Sequence, residues 1–124
     1  MKIKTNELTG AALNWAVALM EFPNPDYEDS DRLVYVQGDD DFHFSPSTNW
    51  AQGGPIIERE RIGIDGMGID NATPGEVEAF KWVGGEHDSF PLTATGPTPL
   101  IASMRCYVAS QLGDEVDVPE ELME

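Results

Sequence analysis

The sequence predicts an α+β fold: a small, mostly antiparallel sheet of short strands flanked by one helix near each end of the chain. Two segments, Gly10 to about Glu21 and Pro99 to Leu112, carry apolar residues at helical spacing with capping residues in place. Between them lie short runs of β-branched and aromatic residues punctuated by Gly and Pro. The length of 124 residues, 40% of them hydrophobic, sets the expectation of one domain around one core over residues 1–124.

Lys2 to Lys4 reads as a short strand or an arm. Thr9 then suits the N-cap of the first helix, its side-chain oxygen accepting an orphan amide. Leu13, Ala16, Val17 and Met20 form one apolar stripe, which Ala12, Trp15 and Leu19 widen, and the small Ala residues permit close packing. Phe22-Pro23-Asn24-Pro25 ends the helix. Arg32 to Gln37 reads as a strand, Gly38 to Asp41 as a turn, and the segment around His43 as a strand pairing back. Ser45-Pro46-Ser47 opens an irregular loop, with only a brief helical turn after Gly54-Pro55. Ile62 to Ile64 is a short strand, Gly66 to Gly75 a turn-rich connection, and Val77 to Val83 a strand stopped by Gly84-Gly85. The second helix has Thr98 as N-cap, Pro99 at its first position and Gly113 at a left-handed terminus. Its core face is Leu100, Ile101, Met104, Val108 and Leu112, with Tyr107 at the margin and Arg105 beside the stripe. Val116 and Val118 add an edge strand before Pro119.

Charge excludes several functions. Against 7 Lys and Arg stand 23 Asp and Glu, a net charge of −16 and a pI near 4.1, which opposes direct nucleic-acid binding and anionic membranes. Acids concentrate in an insert at about 21–41 and a tail at about 114–124, both read as solvated stretches. The single cysteine, Cys106, rules out an internal disulfide and a multi-cysteine zinc site, and fits a reducing cytoplasm. No run approaches the ~18 apolar residues of a membrane span, so a cytoplasmic location in a bacterial host is expected. Charge nearly vanishes in three tracts: Leu8 to Met20, Phe42 to Ile57 and Ser89 to Gly113. Core-facing helices account for two of them. The middle one, rich in Ser, Pro, Asn, Gln and Gly, is neither a core strand nor a charged loop.

Three motifs carry a likeness: Leu8-Thr9-Gly10-Ala11-Ala12-Leu13-Asn14-Trp15-Ala16-Val17-Ala18, then Phe44-Ser45-Pro46-Ser47-Thr48-Asn49-Trp50-Ala51-Gln52-Gly53-Gly54-Pro55, and Gly96-Pro97-Thr98-Pro99-Leu100-Ile101-Ala102-Ser103-Met104-Arg105. Through them the chain resembles the NinX-like phage proteins, from the first helix to Gly113-Asp114-Glu115-Val116 and Pro119. The resemblance implies an accessory product of a lambdoid phage or prophage, and it brings no catalytic residue to carry over.

Asp39-Asp40-Asp41 and Asp65-Gly66-Met67-Gly68-Ile69-Asp70 lack the ligand spacing of a calcium loop, and His43 and His87 are too few and too isolated for zinc, so neither metal nor cofactor is expected. Nucleophile and phosphate-loop templates are absent, which leans the reading away from an enzyme. The constellation favoured as a binding site is Ser47, Thr48, Asn49, Trp50, Gln52, Gly53, Gly54, Arg59, Thr98 and Arg105. It offers neutral donors and acceptors, an indole face, open backbone, two guanidinium groups and a helix start. Those groups suit a small anionic or nucleotide-like molecule. The competing readings are an acidic inhibitor that presents its charged segments to a basic host protein, in its extreme form a DNA mimic, and a homo-oligomer joined through its low-charge surfaces.

Overall fold

A computed structural model of the chain describes residues 1–22, 25–28, 33–36, 39–65, 76–84 and 89–122. In chain order the elements are β1 (Lys2–Lys4), α1 (Gly10–Glu21), β2 (Pro25–Glu28), β3 (Leu33–Val36), β4 (Asp39–His43), α2 (Trp50–Glu60), β5 (Gly63–Asp65), β6 (Val77–Val83), β7 (Phe90–Gly96), α3 (Pro99–Leu112) and β8 (Glu115–Asp117). Short 3-10 turns occupy Thr5–Glu7 and Glu120–Leu122. The architecture is α+β. Among the described residues the strands form three separate antiparallel sheets, β1-β8, β2-β3-β4 and β5-β6-β7, where the sequence predicted one.

α3 is the element around which the rest is arranged. It packs on β6 and β7 and touches both other helices. Ala102, Ser103, Met104, Cys106, Tyr107 and Val108 are all buried, so the helix is enclosed on most sides rather than along one stripe. Two expectations are corrected by this enclosure: Tyr107 is core, not margin, while Leu112 at the last turn is 39% exposed. The ends of α3 fall where the sequence puts them, because Thr98 Oγ1 accepts the Ile101 amide at 3.1 Å and Pro99 needs no donor partner. Gly113 has φ 88° and ψ −158°, a glycine conformation other than the left-handed helical one expected.

α1 lies against α3 through small residues, with Ala12, Leu13, Ala16, Val17 and Ala18 buried and Leu19 turned to solvent. Thr9 stands at its N-cap in extended conformation, yet its side chain accepts no bond, contrary to expectation. The aromatic stack of the β2-β3-β4 side meets α1 edge to face: Trp15 on Tyr27 at 5.3 Å and Phe22 on Phe44 at 4.9 Å.

Four further differences from the sequence reading follow. Asp39–Asp41 belongs to β4 rather than to a turn, with a register shift between Tyr35 and Val36 of its partner strand. β2 lies within the acidic insert, and β7 lies in a tract with too little β-branched bulk to announce it. The acidic tail is not simply solvated: the expected edge strand at Val116 forms as β8 and pairs with β1, and Val116, Val118 and Leu122 are buried. The expected brief turn after Gly54-Pro55 is instead the middle of α2, an eleven-residue helix. Asn49 caps it, its side chain accepting the Ala51 amide at 2.9 Å. The readings of Pro23-Asn24, Arg32, Gln37-Gly38, Gly66 to Gly75, Gly85 and His87 fall outside the described residues.

Candidate functional site

The polar Phe42 to Ile57 tract spends most of its polar groups on the fold. Ser47 is buried, and both its amide (3.1 Å) and its hydroxyl (2.7 Å) donate to Asn14 Oδ1 of α1. Gln52 accepts from the Ser45 amide at 2.6 Å and donates to the His43 carbonyl at 2.9 Å, clamping the loop to α2. Asn49 is a cap, and Gly53 is the place where α2 presses onto Pro46 and Leu100. Of this group the structure brings Ser47, Thr48, Trp50 and Thr98 together, around a cleft of about 230 Å³ at the start of α3. Trp50 is 55% exposed there, and Gly54 lies one turn further along α2, next to the indole. Arg59 and Arg105 are not part of that cleft; they line two other depressions.

Arg59, in the last turn of α2, is the hub of a network the sequence did not disclose. Its Nη1 and Nη2 donate to the two Glu21 oxygens at 2.9 and 2.7 Å, a bidentate pair, and its Nε donates to Glu60 at 2.8 Å. The Tyr107 hydroxyl donates to Glu21 at 2.7 Å and accepts from Arg59 at 3.0 Å. Lys81 of β6 closes the chain of contacts on Glu60 at 2.7 Å. Five side chains thus tie the end of α1 to α2, α3 and β6.

The charges follow from these contacts. The Arg59 guanidinium holds the Glu21 carboxyl below its ordinary value of 4.5, against the opposing effect of burial. Lys81 does the same for Glu60, and burial together with the neighbouring Glu21 pushes the Tyr107 hydroxyl up. A carboxyl depressed on folding adds stability that is fully present above the unfolded value near 4.5 and is lost as pH falls through the lower folded value. Glu21→Gln should therefore destabilise the protein by about 1–2 kcal/mol at pH 7, the half-exposed Arg59 keeping the figure modest. That deficit should shrink as the wild type is titrated below pH 4.5. Urea melts at pH 7 and at successive acidic values measure it, and equal stability of the two proteins at pH 7 would refute the coupling.

Beside this network lies a depression of about 460 Å³ lined by Arg59, Glu60, Arg61, Lys81 and Trp82. Arg61 enters it by an unusual route. The Ile62 amide donates to the Ile57 carbonyl at 3.0 Å and the Arg61 amide to the Glu58 carbonyl at 3.3 Å, so α2 ends in a Schellman motif. Glycine normally fills the left-handed position of that motif, but here it is Arg61, at φ 56° and ψ 46°. A side chain in that conformation costs roughly 1–2 kcal/mol. Burial of Ile62 in the core offsets it. Arg61 meets no carboxylate within ion-pair distance among the described residues. Trp82 stands 62% exposed at the same depression. Arg61, Lys81 and Trp82 were missed because no local spacing links them; only the pairing of β6 with β5 brings the end of α2 beside Lys81 and Trp82.

Arg105 is partly buried on α3, where Nε donates to the Leu8 carbonyl and Nη1 to the Thr95 carbonyl, each at 2.8 Å. Burial without a carboxylate contact pulls its pKa down, weakly opposed by Glu76. Cys106 is a packing residue: it is buried, and burial pushes its thiol up to about 11, far from a reactive thiolate. Among the described residues no group of three His, Cys, Asp or Glu is placed to hold a metal, and no helix is long and apolar enough to cross a membrane.

The family model described as "Bacteriophage P22, NinX" matches residues 4–111. No match was found among curated proteins.

Proposed function

We propose, given that this chain belongs to the bacteriophage P22 NinX family, that it is a phage accessory protein which binds a small anionic, nucleotide-like molecule beside Trp82. One observation carries the reading: in a chain with only 7 Lys and Arg against 23 acids, Arg59, Arg61 and Lys81 converge with an exposed indole on one depression. Each part has a chemical use. Arg61, free of carboxylates among the described residues, supplies a planar fork for a phosphate or carboxylate. The Trp82 indole supplies a flat face for a ring, and the volume of about 460 Å³ suits a mononucleotide-sized ligand. The left-handed backbone at Arg61 points the same way, because strained conformations cluster at ligand sites.

Calorimetric titration with adenosine monophosphate, with adenosine alone and with inorganic phosphate tests the reading. The nucleotide should bind best, and Trp82→Ala should weaken it roughly 5- to 150-fold, the equivalent of losing about 1–3 kcal/mol of base stacking. Arg61→Gly relieves the backbone strain and removes the cation, so it should raise stability while weakening the nucleotide by tenfold or more. Heats unchanged in both variants, or none with any of the three probes, would remove the site.

A further inference from the structure

A depression of about 500 Å³ runs along the edge of β7 that is unpaired among the described strands. Its far wall is the Lys4 to Asn6 segment and its floor is α3. Pro91 determines which backbone groups face it. In the ladder with β6, Pro91 stands opposite Trp82, and a proline has no amide to exchange, so this is a non-hydrogen-bonded pair. By alternation the Thr93–Phe80 and Thr95–Glu78 pairs are of the same kind. The amides and carbonyls of Thr93 and Thr95, and the Pro91 carbonyl, therefore face away from β6. The bond from Arg105 to the Thr95 carbonyl establishes the same orientation independently. Thr93's amide and carbonyl, the Thr95 amide and the Pro91 carbonyl have no partner among the described residues.

The groove is also electrically polarised. At its Thr95 end sits Arg105, a half-buried guanidinium with no carboxylate in contact among the described residues. β7 and α3 are joined by only Pro97 and Thr98, so they run in opposite directions, and the other end of the groove is reached past Ala109 at Asp114 and Glu115. One end offers a half-buried cation; at the other the pair of acids outnumbers Lys4, which stands opposite Glu115 in the β1-β8 ladder.

We propose that this groove binds the C-terminal segment of a partner protein as an added strand on β7, running parallel to it, with the terminal carboxylate against Arg105 and an upstream basic side chain toward Asp114 and Glu115. An unpaired strand edge supplies main-chain hydrogen bonds for such a ligand, and the charges at the two ends set its direction. The site is separate from the Trp82 depression and does not depend on it.

The probe is a lysine-valine-threonine-valine tetrapeptide with a free carboxylate, compared with its C-terminal amide, titrated into the full chain and followed by backbone amide NMR. The free acid should bind at least tenfold more tightly than the amide and should shift the Thr93 and Thr95 amides. Asp114→Asn, at an exposed position outside the β1-β8 ladder, should weaken the free acid several-fold without unfolding the protein. Arg105→Gln should abolish the preference for the free acid; should that variant unfold, the acid-to-amide ratio and Asp114→Asn still decide the matter. Equal binding of acid and amide would overturn the proposal, as would unmoved Thr93 and Thr95 amides at millimolar peptide. Protection of those amides that rises with protein concentration alone would also overturn it, in favour of pairing between two copies of this chain.

Discussion

Met104→Ala is expected to lower the unfolding free energy by about 2–5 kcal/mol, whereas Leu112→Ala, two turns along the same helix, should cost well under 1 kcal/mol. Periodicity places the two residues on one stripe; burial separates them. Met104 is fully buried on α3, the helix that packs against β6, β7, α1 and α2, so truncation removes contacts on several sides at once. The surrounding elements cannot all collapse into the space, which is why the cavity contribution adds to the lost transfer free energy. Leu112 is 39% exposed and already hydrated in the native state. Urea denaturation of both variants, read as a change in midpoint at constant slope, measures the contrast. Similar losses for the two would mean that α3 is buried along a single face, as the sequence alone suggests.

The second large effect is expected at Gly53→Ala, about 3 kcal/mol destabilising, at the upper end of the ordinary cost of overpacking. A methyl group there would run into the Pro46 carbonyl and a Leu100 methyl. Leu100 is buried and Pro46 lies in a turn anchored to α1 by the Ser47–Asn14 bonds, so neither neighbour yields readily. Gly54→Ala is the control. Its methyl group would meet only the Trp50 ring at 3.8 Å, an ordinary contact, and the gain in helix propensity of up to about 1 kcal/mol should then appear as added stability. Opposite signs at adjacent glycines are the signature; destabilisation at both positions would instead indicate that α2 tolerates no side chain on either face.

These two cases also explain what was legible in the sequence. α1 and α3 were legible because capping, proline and glycine signals coincide with apolar periodicity at Thr98, Pro99 and Gly113. α2 was hidden because Gly53, Gly54 and Pro55 argue locally against a helix, and only the tertiary demand for a bare backbone against Pro46 and Leu100 explains Gly53. β7 was hidden because its core-facing alternation is diluted by Pro91, Thr93 and Thr95 on the outer face. In the candidate sites the limit was separation along the chain. Arg59 lies 38 residues from Glu21 and 48 from Tyr107, and no spacing rule reaches that far. Arg59 and Arg105 were singled out from residue type alone, whereas Arg61 and Trp82 became visible only with β6 beside the end of α2.

The β1-β8 ladder joins the most distant parts of the described chain. Its pairing of Lys2–Lys4 with Glu115–Asp117 is reinforced by the Met1 ammonium on Asp117, 116 residues away, and by the Thr5 hydroxyl on the Gly113 carbonyl. Loop-closure entropy grows with the length enclosed, so such contacts are expected to form after α3 has settled on β6 and β7 through much shorter loops. The same short ladder, three residues on each strand, is expected to open in native-state fluctuations more readily than the seven-residue β6-β7 ladder. Since Lys4 to Asn6 forms one wall of the β7 groove, each such opening also unmakes the groove. A strand seated there would act as a latch, slowing the exchange of the amides along the whole β1-β8 seam.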